Sequence, residues 1–159
     1  MAKIEAKMAD EMRAACIFHK GAVVAIADDI GRILSDVIEW VMKGGLQMAG
    51  PPFAVYYSSQ EDMARGEMQF DVGIPFIGEA QNEGKIQIKT FPAHEVLSAI
   101  HKGPYSEIAS VYAALMEYAA QNDYEVTGAP MELYLNNPME VAESDLLTEV
   151  RFPVATRGP

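Results

Sequence analysis

The chain has 159 residues, of which 50% are hydrophobic, so it can build one sizeable core but is short for two independent domains. Its formal net charge of -11 repels phosphate backbones and anionic membranes, so neither direct nucleic-acid binding nor membrane association is expected. One cysteine, Cys16, provides no disulfide framework and no cysteine metal site, and no apolar run reaches membrane-spanning length. These features predict a soluble, cytoplasmic, single domain over residues 1–159 with no cofactor and no metal.

The first part of the chain predicts a strand, a long helix and a second strand. A short charged segment at Lys3–Lys7 precedes a strand of small and β-favouring residues at Arg13–His19. Apolar residues then recur every three or four positions over Ala22–Met42, which predicts an amphipathic helix that ends at Gly44–Gly45. The next strand is predicted at Phe53–Ser58.

A polar loop at Ser59–Glu67 leads into a third predicted strand, Met68–Phe76. Apolar residues occupy every second position of this strand, and Gln, Asp, Gly and Pro occupy the positions between them. This alternation predicts that one face of the strand is core and the other is not. The stretch Gly78–Gly84, rich in Gln, Asn and Glu, is typical of a linker.

After this linker the sequence pattern starts again. Six residues recur 82 positions later: Lys3, Ile4, Lys7, His19, Lys20 and Gly21 return as Lys85, Ile86, Lys89, His101, Lys102 and Gly103. Farther along the offset is 78, as between Tyr56 and Tyr134, so the first helix is predicted to be about one turn longer than the second. The chain is therefore predicted to be a duplication with internal repeats at about 1–78 and 84–156.

Each predicted repeat has the order strand, helix, strand, strand, and the second helix is expected at Pro104–Gln121. Six to eight mostly antiparallel strands with two long helices make an α+β fold with pseudo-twofold symmetry. Two equivalent halves would leave a central crevice that corresponding residues of both repeats can line.

The segment MELYLNN, Met131–Asn137, is the strand in which a site is most clearly indicated. Side chains alternate along a strand, so Glu132 lies on the same face as Tyr134. A carboxylate beside aromatic rings suits a positively charged, apolar ligand, whereas an ordinary half-exposed strand has the same pattern. The first repeat keeps the tyrosine, as Tyr56, but has Ala54 in place of the glutamate, which favours a site with a single carboxylate.

Four segments carry a resemblance to a known family. They are HKGPYSEIASVYAAL from His101, GPPFAVYYS from Gly50, MELYLNN, and LLTEVRFPV from Leu146. Together with the duplicated plan they resemble the GyrI-like small-molecule-binding family, the effector-binding domain of AraC-type and MerR-type multidrug regulators. The resemblance runs from about Lys3 to Val154 and leaves no segment for a helix-turn-helix, so a stand-alone form is expected.

The resemblance implies a crevice with one glutamate, at Glu132 in this sequence, that binds hydrophobic, cationic small molecules with help from aromatic rings. The aromatic residues expected to contact the ligand are Tyr134, Tyr56, Tyr112, Tyr105 and Trp40. Taken singly, an aromatic residue of this kind is more often packed in a core or an interface than in contact with a ligand.

Three classes of function stay open at this level. The first is a small-molecule-binding protein that senses or sequesters drugs in transcription regulation. The second is implied by the resemblance, since some relatives look like hydrolases of cyclopropanoid genotoxins, and in it Glu132 would act as the general base. The third, also implied by the resemblance because the family is named after a gyrase-inhibiting member, is a protein that interacts with a partner such as gyrase or a separate regulator; an acidic surface can compete with DNA.

Overall fold

The computed structural model describes residues 3–57, 60–137 and 139–156, without the side chains of residues 27, 60 and 63. The strands are, in chain order, β1 (Ile4–Ala9), β2 (Met12–Ala22), β3 (Gln47–Met48), β4 (Phe53–Tyr56), β5 (Glu67–Ile77), β6 (Gln87–Phe91), β7 (His94–Lys102), β8 (Tyr124–Val126), β9 (Met131–Tyr134) and β10 (Leu147–Thr156). The helices are α1 (Ile26–Lys43), α2 (Gln60–Ala64) and α3 (Ala109–Gln121). The chain divides into a central unit, residues 12–91, and a terminal unit, residues 1–11 with 92–159.

The central unit consists of antiparallel strands in the order β4-β5-β2-β6, with β3 paired to β5 and α1 packed on one face. The apolar stripe of α1 explains this packing, because Ile33, Val37 and Val41 lie on one side of the helix and are buried against β5. Acidic residues in the first turn and Lys43 in the last complement the helix dipole. The chain leaves the helix through Gly45, whose φ of +68° suits a residue without a Cβ.

The terminal unit has the corresponding order β9-β10-β7-β1, with β8 paired to β10 and α3 packed on one face. Val111, Leu115 and Ala119 form the buried stripe of α3 and pack in a cluster with residues of β7 and β10. A short 3-10 turn at Tyr105–Glu107 precedes the helix. Both units therefore have a helix on one face of an antiparallel sheet, which confirms the predicted α+β class with mostly antiparallel strands and two long helices.

The described residues form ten strands, where six to eight were predicted, because β3 and β8 are only two and three residues long and too short to show alternation. The compact units are also bounded differently from the sequence repeats. β1 pairs with β7, and β6 pairs with β2, so each unit takes its edge strand from the other repeat. The duplication, the single-domain organisation and the central crevice stay predictions.

The prediction that β5 has one core face and one face outside the core was wrong. Asp71, Gly73 and Pro75 are buried like the apolar residues between them. Side chains from other strands cover this second face, because Phe53 of β4 packs closely over Gly73 and Lys89 of β6 contacts Asp71. Alternation therefore identified the strand but not the packing of its second face.

Smaller differences concern the ends of elements. The charged segment at Lys3–Lys7 belongs to β1 from Ile4 onward, because a strand at the edge of a sheet tolerates charged side chains. The predicted loop Ser59–Glu67 contains α2, and the predicted strand at MELYLNN ends at Tyr134, so that Leu135 is exposed. Ser58 and Ser59 lie outside the described residues.

Each unit buries a carboxylate on the face opposite its helix. In the terminal unit Glu149 accepts hydrogen bonds from Ser98 Oγ at 2.7 Å and Arg151 Nε at 2.6 Å, and Lys7 Nζ lies at 3.0 Å. In the central unit Asp71 accepts hydrogen bonds from Tyr57 Oη at 2.6 Å and from Lys89 Nζ, while its Oδ1 has no hydrogen-bond partner among the residues that the structure describes. These ion pairs link β10 to β1 and β5 to β6, in each case across one intervening strand.

The close packing at Gly73 gives a first testable prediction. A Cβ at this position would lie 2.7 Å from Phe53 Cζ and 2.8 Å from Cys16 Sγ, so Gly73→Ala should lower the unfolding free energy by about 1–3 kcal/mol. Gly31→Ala is the matched control, since nothing lies within 4 Å and alanine favours a helix; it should stabilise by about 0.5–1 kcal/mol. Urea unfolding of both variants tests the packing, and equal stabilities would contradict it.

The ionised state of Glu149 gives a second prediction, for Glu149→Gln. Burial alone would raise the pKa of this carboxyl, but hydrogen bonds from Arg151, Ser98 and Lys7 outweigh burial and hold the pKa below its ordinary value of 4.5. Its stabilising contribution is therefore complete above about pH 4.5 and is lost as the pH falls through the lower, folded-state pKa.

Urea unfolding of wild type and Glu149→Gln should show the variant about 1–3 kcal/mol less stable at about pH 7, with the difference shrinking at about pH 3. Glu39→Gln is the control, because Glu39 pairs with Lys43 on the exposed face of α1 and should have little effect at either pH. A stability difference for Glu149→Gln that does not depend on pH would contradict the assignment.

Candidate functional site

Glu132 lies in the middle of β9 and is buried, with 9% of its surface exposed. The residues on either side of it, Met131 and Leu133, are buried as well, so both faces of this short strand are covered. Glu132 is paired across the sheet with Val150 of β10, which belongs to the cluster that packs against α3. The carboxylate therefore lies on the helix side of the terminal unit, and the interpretation of an ordinary half-exposed strand is wrong.

Two tyrosine hydroxyls hold the carboxylate. Tyr112 Oη donates a hydrogen bond to Glu132 Oε2 at 2.5 Å, and Tyr134 Oη donates one to Oε1 at 3.2 Å. An ionised carboxylate only accepts hydrogen bonds, so both phenols favour the negatively charged form and fix its orientation. A buried carboxylate without such donors would be costly.

Aromatic rings surround this group. The Tyr105 ring lies edge-on to Tyr134 with centroids 5.8 Å apart, and Tyr112 packs on Phe152 at 5.5 Å. Burial, and then the negative charge of Glu132, raises the pKa of the Tyr105 hydroxyl above its ordinary value. Tyr105 is 37% exposed, so it stands where the site meets solvent.

Local sequence explains how these side chains reach the site. Tyr112 lies next to Val111 on the first turns of α3. Because Val111 is part of the buried stripe that packs the helix on the sheet, the side chain of Tyr112 is directed toward β9. Tyr105 is carried by the 3-10 turn, which the chain enters through Gly103 with a φ of +126°. His101 Nε2 donates a hydrogen bond to the Pro104 carbonyl at 2.9 Å and fixes the start of this turn.

Tyr56 and Trp40 belong to the central unit and have packing contacts there. The Tyr56 ring lies 5.9 Å from Phe70, and Trp40 packs edge-on to Phe76 at 6.5 Å. Trp40 Nε1 also donates a hydrogen bond to Glu83 Oε2 at 3.0 Å. Their predicted part in ligand binding stays a prediction.

The central unit carries no carboxylate at the register of Glu132. Ala54 pairs with Val72 on β5 as Glu132 pairs with Val150 on β10, and Ala54 is fully buried. Ala54 and Glu132 thus occupy corresponding buried positions in the two units, and only the terminal unit has a carboxylate there.

Phe152 is a residue of the site that the sequence did not single out. Its only signal is its position in LLTEVRFPV, where it falls on the same face as Val150. The buried carboxylates Asp71 and Glu149 were also missed, although they are related by the same offset of 78 as Tyr56 and Tyr134.

The described residues contain neither a metal-ligand cluster nor a membrane-spanning helix. Within residues 3–57, 60–137 and 139–156, no three His, Cys, Asp or Glu side chains are grouped as metal ligands would be. In that same part of the chain, no helix combines the length and apolarity needed to cross a membrane. The side chains of the Glu132 site provide a buried carboxylate, phenol donors and aromatic faces.

The fold recurs in solved structures of low sequence identity. Two structures of EcmrR are similar to this chain over 98% of its residues. In a cryo-EM structure with DNA the TM-score is 0.86 and the sequence identity is 22%, and 58% of the EcmrR chain is covered. In the crystal structure of the EcmrR C-terminal domain the TM-score is 0.81 and the identity is 21%, and 99% of that chain is covered. The chain thus spans little more than half of the length of EcmrR, 58%. Because the identities are so low, these likenesses show the fold alone.

Two further structures resemble 96% of the chain. One is SAV2435 bound to tetraphenylphosphonium, with a TM-score of 0.67, 11% identity and 94% of that chain covered. The other is described as a hydrolase from Listeria innocua, with a TM-score of 0.66, 16% identity and 92% of that chain covered.

Comparison with families gives the firmer result. No curated protein sequence matches the chain. The sequence profile of the GyrI-like small molecule binding domain, however, matches residues 2–155. The match covers nearly the whole length, and the α+β fold and the similarity to the EcmrR C-terminal domain agree with it. The protein belongs to the GyrI-like small-molecule-binding family.

Proposed function

We propose that the protein binds hydrophobic, cationic small molecules at Glu132, and that it senses or sequesters them as multidrug effector-binding domains do. The observation that carries the proposal is the buried Glu132 carboxylate, which accepts hydrogen bonds from the hydroxyls of both Tyr112 and Tyr134. The phenols are neutral, so they orient the negative charge without cancelling it.

The energetics of such a site favour a cation with apolar groups. A carboxylate in poorly hydrated surroundings attracts a positive charge more strongly than it would in water. The rings of Tyr105 and Tyr134 can add about 0.5–2 kcal/mol each when a cation lies over their faces. A strongly hydrated inorganic cation would gain less, because it would have to give up its water to reach a buried group.

The relatives support this choice of ligand and role. The structure of SAV2435 contains tetraphenylphosphonium, a cation whose charged phosphorus carries apolar phenyl rings. EcmrR was solved in a complex with DNA, and its C-terminal domain has the fold of this chain. We therefore assign the chain the effector-binding part of such regulation, with a small molecule as its partner. Tyr56 and Trp40 are proposed to contribute further aromatic surface.

A hydrolase that uses Glu132 as general base is the second candidate, favoured by the relative from Listeria innocua that is described as a hydrolase. A general base needs a lone pair directed at the attacking water. Each oxygen of Glu132 accepts one hydrogen bond from a tyrosine and has a second lone pair, so these contacts are compatible with a bound water as well as with a cation. Binding is the preferred role because the aromatic rings beside the carboxylate suit an apolar cation. Interaction with gyrase or with a separate regulator stays a prediction from sequence.

Glu132→Gln tests the role of the charge. It keeps the size of the side chain and one carbonyl acceptor, so the unfolding free energy should change by no more than about 1 kcal/mol. Affinity for tetraphenylphosphonium should fall by at least about tenfold, equivalent to about 1.4 kcal/mol, because the ligand loses its counter-charge. Isothermal titration calorimetry measures the affinities of wild type and of Glu132→Gln for tetraphenylphosphonium.

Two controls make this test specific. Triphenylphosphine oxide has similar rings and no net charge, so wild type and Glu132→Gln should bind it equally. Glu117→Gln makes the same change of net charge at an exposed position on α3, and it should leave binding of the cation unchanged. Equal affinity of wild type and Glu132→Gln for tetraphenylphosphonium would refute the proposal. Conversion of a cyclopropane-bearing electrophile by wild type, absent in Glu132→Gln, would establish the hydrolase instead.

Tyr112→Phe tests the phenol donors separately from the rings. The variant keeps the ring that packs on Phe152 but removes the hydrogen bond to Glu132, so affinity for the cation should fall about threefold to tenfold. Tyr118→Phe is the matched control on the same helix, because Tyr118 stacks on Tyr124 and belongs to the same cluster beside α3. It should bind like wild type, and an equal loss in both variants would show that the effect is general to the helix.

A further inference from the structure

A cavity in the terminal unit is lined by residues around Lys7 and Ser98 and not by those of the Glu132 site. It has a volume of about 170 Å³, and its lining residues are Lys3, Glu5, Lys7, Ser98, Ala99 and Ile100. Leu97 and Ala99 of β7 belong to the cluster beside α3, so Ser98 and Ile100, which alternate with them, point to the opposite face of the sheet. Glu132 is on the helix side, so the two places are on different faces of the unit.

Positive charge exceeds negative charge at this cavity. Glu149 lies behind Ser98 and contacts both Arg151 and Lys7, at 2.6 Å and 3.0 Å. One arginine is sufficient to balance one carboxylate, so the charge of Lys7 is in excess. Lys3 and Glu5 also line the cavity, and their opposite charges sum to zero.

The corresponding place in the central unit shows that Arg151 makes the difference. There β5 carries Gly73 opposite Cys16, where β10 carries Arg151 opposite Ser98. The lysine and the carboxylate are present in both units, as Lys89 with Asp71 and as Lys7 with Glu149. The terminal unit therefore has one more cation in this cluster than the central unit has.

We propose that this cavity is a binding site for a short-chain organic carboxylate. Lys7 provides the charge: its side chain is 37% exposed and its ammonium group, which has three hydrogens, can donate to a ligand while it still contacts Glu149. Ile100, 43% exposed, provides an apolar wall for the aliphatic part. A volume of 170 Å³ suits a molecule of about five to eight non-hydrogen atoms.

An anion is a notable ligand for a protein of this composition. With a net charge of -11 the molecule repels anions at long range, so only a local excess of cations behind a shaped cavity can hold one. The site does not depend on the function proposed for Glu132, and each can be tested without the other.

Titration of isotopically labelled protein with sodium butyrate, followed by amide NMR at constant ionic strength, tests the site. We expect saturable shifts confined to β1 and β7, with a dissociation constant on the order of 1–10 mM for so small a ligand. Lys7→Met keeps the apolar stem and removes the ammonium group, and it should weaken binding at least about tenfold. Lys43→Met, which removes an exposed lysine of α1, should bind butyrate like wild type.

Two further measurements test the site without Lys7→Met, in case that variant folds poorly. Butyramide has the same shape without the charge and should cause no saturable shifts in wild type, and Glu132→Gln should bind butyrate like wild type. Shifts that are linear in concentration, equal binding of butyrate and butyramide, or equal binding by a folded Lys7→Met would each overturn the proposal. Inorganic phosphate that binds more tightly than butyrate would overturn the assignment to carboxylates.

Discussion

The pair of hydrogen bonds from Tyr112 and Tyr134 to Glu132 is the interaction on which the candidate site depends. A carboxylate that is only 9% exposed is stable only when hydrogen-bond donors replace the water molecules it has lost. The two phenols are these donors, and they come from different elements, α3 and β9. Tyr134 is supplied locally by strand alternation, two residues from Glu132. Tyr112 is supplied by the packing of the helix, so the site forms only when α3 is seated on its sheet.

The terminal unit uses the two faces of one sheet for different electrostatic purposes. Glu132 on the helix face accepts hydrogen bonds from neutral phenols, whereas Glu149 on the opposite face contacts Arg151 and Lys7. Neutral donors leave a negative charge in place, and cationic donors cancel or exceed it. The two ligand classes that we propose, a cation at Glu132 and an anion beside Lys7, both rest on this difference.

The family and the site rest on different kinds of observation. Membership of the GyrI-like family follows from a match over residues 2–155, and the fold follows from structures that are at most 22% identical. A fold alone does not specify a ligand. The ligand class proposed here comes from the chemistry of Glu132, its tyrosines and the rings around them.

The sequence by itself determined the local elements and the family. The three-to-four spacing of apolar residues in α1 and α3, and the alternation that places Glu132 with Tyr134, depend only on neighbours along the chain. Only the tertiary structure decided that Glu132 is buried, that Tyr112 reaches it from twenty residues away, and that Asp71 is buried on the second face of β5. Periodicity reports which side of an element is apolar, but the strands and helices that cover its other side come from distant parts of the chain.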